Sequence, residues 1–181
     1  MRALVVYESM YGNTHLIADA IGDGLRTSGD VKVTVVPIHE AGAPLAADAD
    51  LLVVGGPTHA HGLSRVNTRK AAFEAVKAGS DLTVEADAEG EGVRGWLDSL
   101  GDLGRRAAAF DTRMDGPAAL TGRASKGIAH KLRDHGCSLI ADPESFLVTK
   151  ETHLEPDEES HARRWGATLA AQLASSASEA H

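Results

Sequence analysis

Short, uninterrupted apolar runs alternate along this chain with longer stretches of helical periodicity, and that alternation leaves few architectures open. Ala3 to Tyr7 and Leu51 to Val54 carry no charged or amide side chain at all. A strand with one wet face alternates apolar with polar residues, so these runs predict strands buried on both faces, as in a parallel sheet covered by helices. The first run is followed by a helix whose apolar residues Ile17, Ile21 and Leu25 share one face, with Asn13 or Thr14 as its cap and Ser28-Gly29-Asp30 as its end. Val31 to Val36 is β-branched and gives a second strand. Asp50 to Gly55 gives a third, stopped by the breaker Gly55-Gly56-Pro57. A helix over Asn67 to Lys77 precedes a fourth strand over Arg106 to Phe110. A helix over Ser125 to His135, ended by Gly136, leads to a fifth strand over Ser138 to Ala141, with Phe146-Leu147-Val148 as its extension. Pro156 opens a C-terminal helix carrying Trp165, Leu169 and Leu173 on one face, and the Ser/Ala tail after Ala174 is expected to fray.

Composition narrows the class further. The chain has 181 residues with 18 Lys and Arg against 26 Asp and Glu, a formal net charge of −8. Its length suits one domain, predicted over residues 1–175 with 176–181 as a frayed tail. The acidic balance and the lack of a basic stripe exclude a nucleic-acid partner, because phosphate backbones demand clustered cations. One cysteine, Cys137, cannot form an internal disulfide and fits a reducing, cytoplasmic setting, where it reads as core packing. The first apolar run is far shorter than the ~20 residues of a membrane span, and no membrane insertion is expected. The segment Asp81 to Gly92 holds five acidic residues and no Lys or Arg. It reads as a solvated loop, or as a source of negative charge near the active edge.

Three segments carry chemistry. Directly after the first strand comes Glu8-Ser9-Met10-Tyr11-Gly12-Asn13-Thr14, a strand-to-helix connection with hydroxyls, an amide, a turning glycine and no Lys or Arg. A helix N-terminus offers unpaired N–H groups and the positive end of its dipole, so such a loop can hold a phosphate without a cationic side chain. G-x-x-x-x-G-K-[ST] does not occur, and no G-x-G-x-x-G stands directly after the first strand, which withdraws support from nucleotide triphosphates and common dinucleotides. The second segment, Gly55 to Gly62, and the third, Phe110-Asp111-Thr112-Arg113, follow the third and fourth strands. All three fall at the edge where open α/β sheets bind ligands. A phosphoacceptor signalling domain of the same topology would need an acidic cluster there, and the third strand ends instead in Gly55-Gly56-Pro57.

Ser9-Met10-Tyr11-Gly12-Asn13-Thr14 resembles the phosphate loop of the flavodoxin family, and Pro57-Thr58 with its glycine-containing loop resembles the second FMN loop of that family. The resemblance implies a flavodoxin-like three-layer α/β sandwich with a five-stranded parallel sheet in the order 2-1-3-4-5. Flavodoxins are the standard illustration of cofactor binding where strand order reverses, so that placement is inherited from the family. By resemblance Ser9, Met10, Tyr11, Gly12, Asn13 and Thr14 bind the FMN phosphate. Pro57, Thr58, His59, Ala60, His61 and Gly62 border one side of the isoalloxazine, and Asp111, Thr112 and Arg113 the other. Small flavodoxins commonly sandwich the flavin between aromatic side chains, whereas this chain offers His59 and His61 on one side and no aromatic after Phe110 on the other. Two functions therefore compete: electron exchange with a redox partner protein, or NAD(P)H-dependent quinone reduction of the WrbA type. His59 and His61 could stabilise negative charge on reduced flavin; as a metal pair without a third ligand they are weak.

Overall fold

A computed structural model describes residues 1–59, 62–64 and 92–178. In chain order the strands are β1 (Arg2–Tyr7), β2 (Lys32–Pro37), β3 (Leu51–His59), β4 (Gly62–Leu63), β5 (Arg106–Met114), β6 (Ser138–Leu139) and β7 (Glu144–Val148). The main sheet runs β2-β1-β3-β5-β6 with every neighbouring pair parallel. Its five strands are the five expected, in the expected order. Two further strands change only the numbering: β4 turns back antiparallel onto β3, and β7 pairs parallel with β5. The helices are α1 (Asn13–Arg26), α2 (Ala43–Ala47), α3 (Val93–Ser99), α4 (Ala118–Thr121), α5 (Ala124–Asp134) and α6 (Glu158–Ser178).

Successive strand residues point to opposite faces, and in the central strands β1, β3 and β5 both faces are buried. Leu4, Val6, Leu52, Val54, Ala107 and Ala109 pack beneath Trp96, Leu97, Ile128 and Leu132 of α3 and α5. Ala3, Val5, Leu51, Val53, Ala108 and Phe110 pack on the other side beneath Ile17, Ile21 and Leu25 of α1 and Trp165, Leu169 and Leu173 of α6. The apolar runs thus form the middle layer of a three-layer sandwich.

Several boundaries differ from the sequence reading, each for a tertiary reason. The third strand does not stop at Gly55: it continues to His59, because β5 pairs with Gly55, Gly56 and Pro57 and β4 then pairs with Thr58 and His59. The fourth strand continues from Phe110 to Met114 along β7, so Asp111, Thr112 and Arg113 belong to a strand. The fifth strand is interrupted. Leu139 pairs with Ala107 and Glu144 with Phe110, leaving four intervening residues against two on β5, and Pro143 has no N–H to continue the ladder. Helix α1 is capped by Gly12 in a left-handed conformation (φ 88°), with Asn13 and Thr14 already inside its first turn. Helix α6 runs to Ser178, beyond Ala174. The expected helix over Asn67 to Lys77 and the acidic residues 81–91 lie outside the described residues, as do Ala60 and His61.

Candidate functional site

The C-terminal ends of β1, β3, β5 and β7 surround an open cleft. One wall is the turn after β1 with the start of α1, which contributes Met10, Tyr11, Asn13 and Thr14. Ser9 lies beneath this wall, and its Oγ accepts a hydrogen bond from the Gly12 N–H at 3.2 Å, fixing the turn that starts the helix. The first-turn N–H groups of an α-helix have no intrahelical acceptor, so α1 presents donors and the positive end of its dipole to this cleft.

The end of β3 supplies Pro57, Thr58 and His59. Thr58 Oγ1 accepts from the Ala124 N–H at 2.9 Å and Asp111 Oδ2 from the Ser125 N–H at 2.7 Å, so two side chains from neighbouring strands cap α5. Asp111 is fully buried below the cleft, whereas Thr112 and Arg113 line it together with Met114. The Arg113 guanidinium is anchored through Nη1 to the carbonyl of Gly116 (2.8 Å) and the hydroxyl of Thr121 (3.1 Å). Its Nε–H is buried and has no acceptor among the described residues.

A fourth wall, from Val148, Thr149 and Thr152, was not legible in the sequence. Val148 forms an antiparallel bridge with Leu154, and the turn between them places Thr152 at φ 66°, an unusual conformation for a β-branched residue. Asn13 Nδ2 donates to the Thr152 carbonyl at 2.8 Å, tying this turn to the start of α1. No local motif announces that contact, which joins residues 139 positions apart.

The cleft is a donor site. Its described lining contains five threonine hydroxyls, the Tyr11 phenol and Arg113, and no carboxylate. Burial pushes the Tyr11 phenol above its ordinary pKa, so the group enters as a neutral O–H. Glu8 is close in sequence but directed elsewhere: its carboxylate accepts from the Val93 N–H (2.9 Å) and from the Ser64 hydroxyl. In a chain of net charge −8 this local excess of donors suits an anionic group. Among the described residues no cluster of His, Cys, Asp and Glu could hold a metal ion.

A doubly wound α/β sandwich with an anion-accepting cleft at its strand-order reversal defines the class of open-sheet cofactor-binding proteins. The flavodoxin family model matches residues 5–105, more than half of the chain, and the protein belongs to that family. A flavodoxin from the domain Archaea is 23% identical, with a TM-score of 0.63 over 96% of this chain and 99% of its own. Oxidised flavodoxin 1 from Bacillus cereus is 18% identical, with a TM-score of 0.63 over 97% and 98%. A WrbA-like flavodoxin from Agrobacterium tumefaciens is also 18% identical, with a TM-score of 0.61 over 96% and 98%. A comparison with curated protein sequences gives no significant match.

The cofactor of the family is noncovalently bound FMN, and the cleft fits it. The start of α1 meets the requirement of a phosphate, the described lining holds no carboxylate to repel it, and among the described residues the buried Arg113 Nε–H lacks an acceptor, which a polar ring edge or ribityl oxygen would supply.

Proposed function

We propose that this protein is an FMN-dependent electron carrier serving a redox partner protein. The observation that carries the reading is the convergence, in one cleft free of carboxylates among its described lining residues, of the α1 N-terminus with hydroxyl and guanidinium donors. Residues Ser9 to Thr14 would hold the phosphate through backbone N–H groups and the Thr14 hydroxyl. Pro57 to Gly62 would border one side of the isoalloxazine, and Thr112 and Arg113 the other, with Asp111 supporting them from below by capping α5. Bound there, FMN supplies reversible electron transfer, while the chain orients it and excludes water from its buried end. Arg113, held by the 116–121 segment, would offer a fixed positive charge beside the ring. The acidic surface would steer a cationic partner by long-range attraction.

One observation favours a second reading. Among the described lining residues only Tyr11 and His59 carry aromatic rings, and none stands on the β5 wall. An uncovered ring face would admit a small acceptor, as required of an NAD(P)H-dependent quinone reductase of the WrbA type. The test titrates apoprotein with FMN and with riboflavin, then mixes the loaded protein with NAD(P)H. FMN binding far tighter than riboflavin, with bleaching only when a separate reductase is added, is the expected result. Bleaching by NAD(P)H alone with turnover of a quinone would replace the carrier by the reductase, and equal binding of FMN and riboflavin would overturn the phosphate site.

A further inference from the structure

Thr14 and Thr112 meet inside the cleft with their hydroxyl oxygens 2.8 Å apart. Thr14 stands in the first turn of α1 and is 2% exposed; Thr112 stands on β5 and is 5% exposed. Each hydroxyl carries a single proton and can accept as well as donate. One hydrogen bond between the two consumes one proton, so the pair keeps one O–H for a third acceptor, and both residues line the cleft.

Which hydroxyl donates follows from what each faces. Thr14 belongs to the helix end that attracts an anion, whereas Thr112 is held in the sheet opposite Pro57 on one side and Phe146 on the other. A phosphate oxygen at the start of α1 is the strongest acceptor this cleft could receive, and it draws the Thr14 proton toward itself. Thr14 Oγ1 then accepts from Thr112, and the two bonds polarise in the same direction. We propose that Thr112 is a positioning residue for phosphate recognition: its hydroxyl donates to Thr14 Oγ1 and thereby aims the Thr14 O–H at the ligand phosphate. This deepens the reading of the cleft as an FMN site and rests on it. It moves the role of Thr112 from the ring border to the phosphate end, and makes β5 the rigid support against which the phosphate loop is set.

The relay makes the two threonines non-additive. Apoprotein of the wild type, Thr14→Val, Thr112→Val and the double variant would be titrated with FMN and with riboflavin, and their folding compared by thermal denaturation. Thr14→Val should weaken FMN about tenfold or more, as loss of a hydrogen bond to a charged group does, and Thr112→Val about three- to tenfold, as loss of a neutral one does. Riboflavin affinity should be unchanged by either. The double variant should bind FMN no more weakly than Thr14→Val alone, because without the Thr14 hydroxyl Thr112 has nothing to aim. Thr112→Ser, which keeps the hydroxyl, should retain wild-type affinity, and keeps the test open if Thr112→Val folds poorly. Additive losses in the double variant, equal losses for FMN and riboflavin, or a Thr112→Ser protein that binds as weakly as Thr112→Val would each overturn the relay while leaving the FMN site standing. A wild type that binds no FMN would overturn both.

Discussion

The closest packing beside the cleft lies at Gly55, and it makes a quantitative prediction. Gly55 is opposite Phe110 in the β3–β5 pair, and the Phe110 ring, fully buried, lies directly over its Cα. A Cβ added there would stand 2.1 Å from Cζ and 2.2 and 2.3 Å from the two Cε atoms. Ordinary contact begins at 3.4 Å, so the ring tip would have to retreat by 3.4 − 2.1, or about 1.3 Å. It has nowhere easy to go. Phe146 and Trp165 pack edge-on against it, with centroids at 6.2 and 6.4 Å. Replacing glycine by alanine where nothing obstructs it typically stabilises by ~0.4–1 kcal/mol through the unfolded chain. Overpacking of this kind typically costs ~1–3 kcal/mol. For a chain of this size each kcal/mol moves the melting temperature by about 2–4 °C, so Gly55→Ala should melt several degrees below wild type. Calorimetry of Gly55→Ala beside Gly101→Ala, where a Cβ meets nothing within 4 Å, provides the comparison. In a Phe110→Leu background the Gly55→Ala penalty should shrink, because the shorter side chain vacates the contested space. A Gly55→Ala protein as stable as Gly101→Ala would refute the claim that this glycine is required by the ring above it.

Glu8→Ala should destabilise the fold by ~1–3 kcal/mol, the usual cost of leaving buried donors without an acceptor, since the carboxylate serves both the Val93 N–H and the Ser64 hydroxyl. Urea denaturation of Glu8→Ala, Ser64→Ala and the double variant checks this, and the Ser64 substitution should cost less once Glu8 is gone. Burial raises the Cys137 thiol above its ordinary pKa, so the native protein should react with a thiol reagent far more slowly than the denatured chain. The sign of the linkage follows: the neutral thiol favours the fold, and its contribution is lost as pH rises from the ordinary thiol range through the raised value. Equal thiol reactivity in the native and denatured states would contradict the burial of Cys137.

The sequence by itself determined the middle layer of this protein and the nature of its first loop. Runs such as Ala3–Tyr7 and Leu51–Val54 can be satisfied only by strands covered on both faces, and the Ile17, Ile21 and Leu25 spacing only by a helix laid on one of those faces, so local chemistry and tertiary packing agree there. The hydroxyls, glycine and absent cations of residues 9–14 likewise announce an anion-accepting helix start, because that property is local to six consecutive residues. What the sequence left undecided is everything that depends on a partner strand. Gly55-Gly56-Pro57 reads as a stop, yet the strand continues because β5 lies alongside to pair with it. Asp111 reads as a site residue, yet the approach of α5 turns its carboxylate into a helix cap. Thr112 and Thr14 are 98 positions apart and the Val148–Thr152 wall reaches the cleft only through the β5–β7 pairing, so neither could be read before the sheet was assembled. Apolar periodicity fixes which face of an element is buried; the identity of the side chain that meets it across the sheet is set by register, and register is a property of the folded whole.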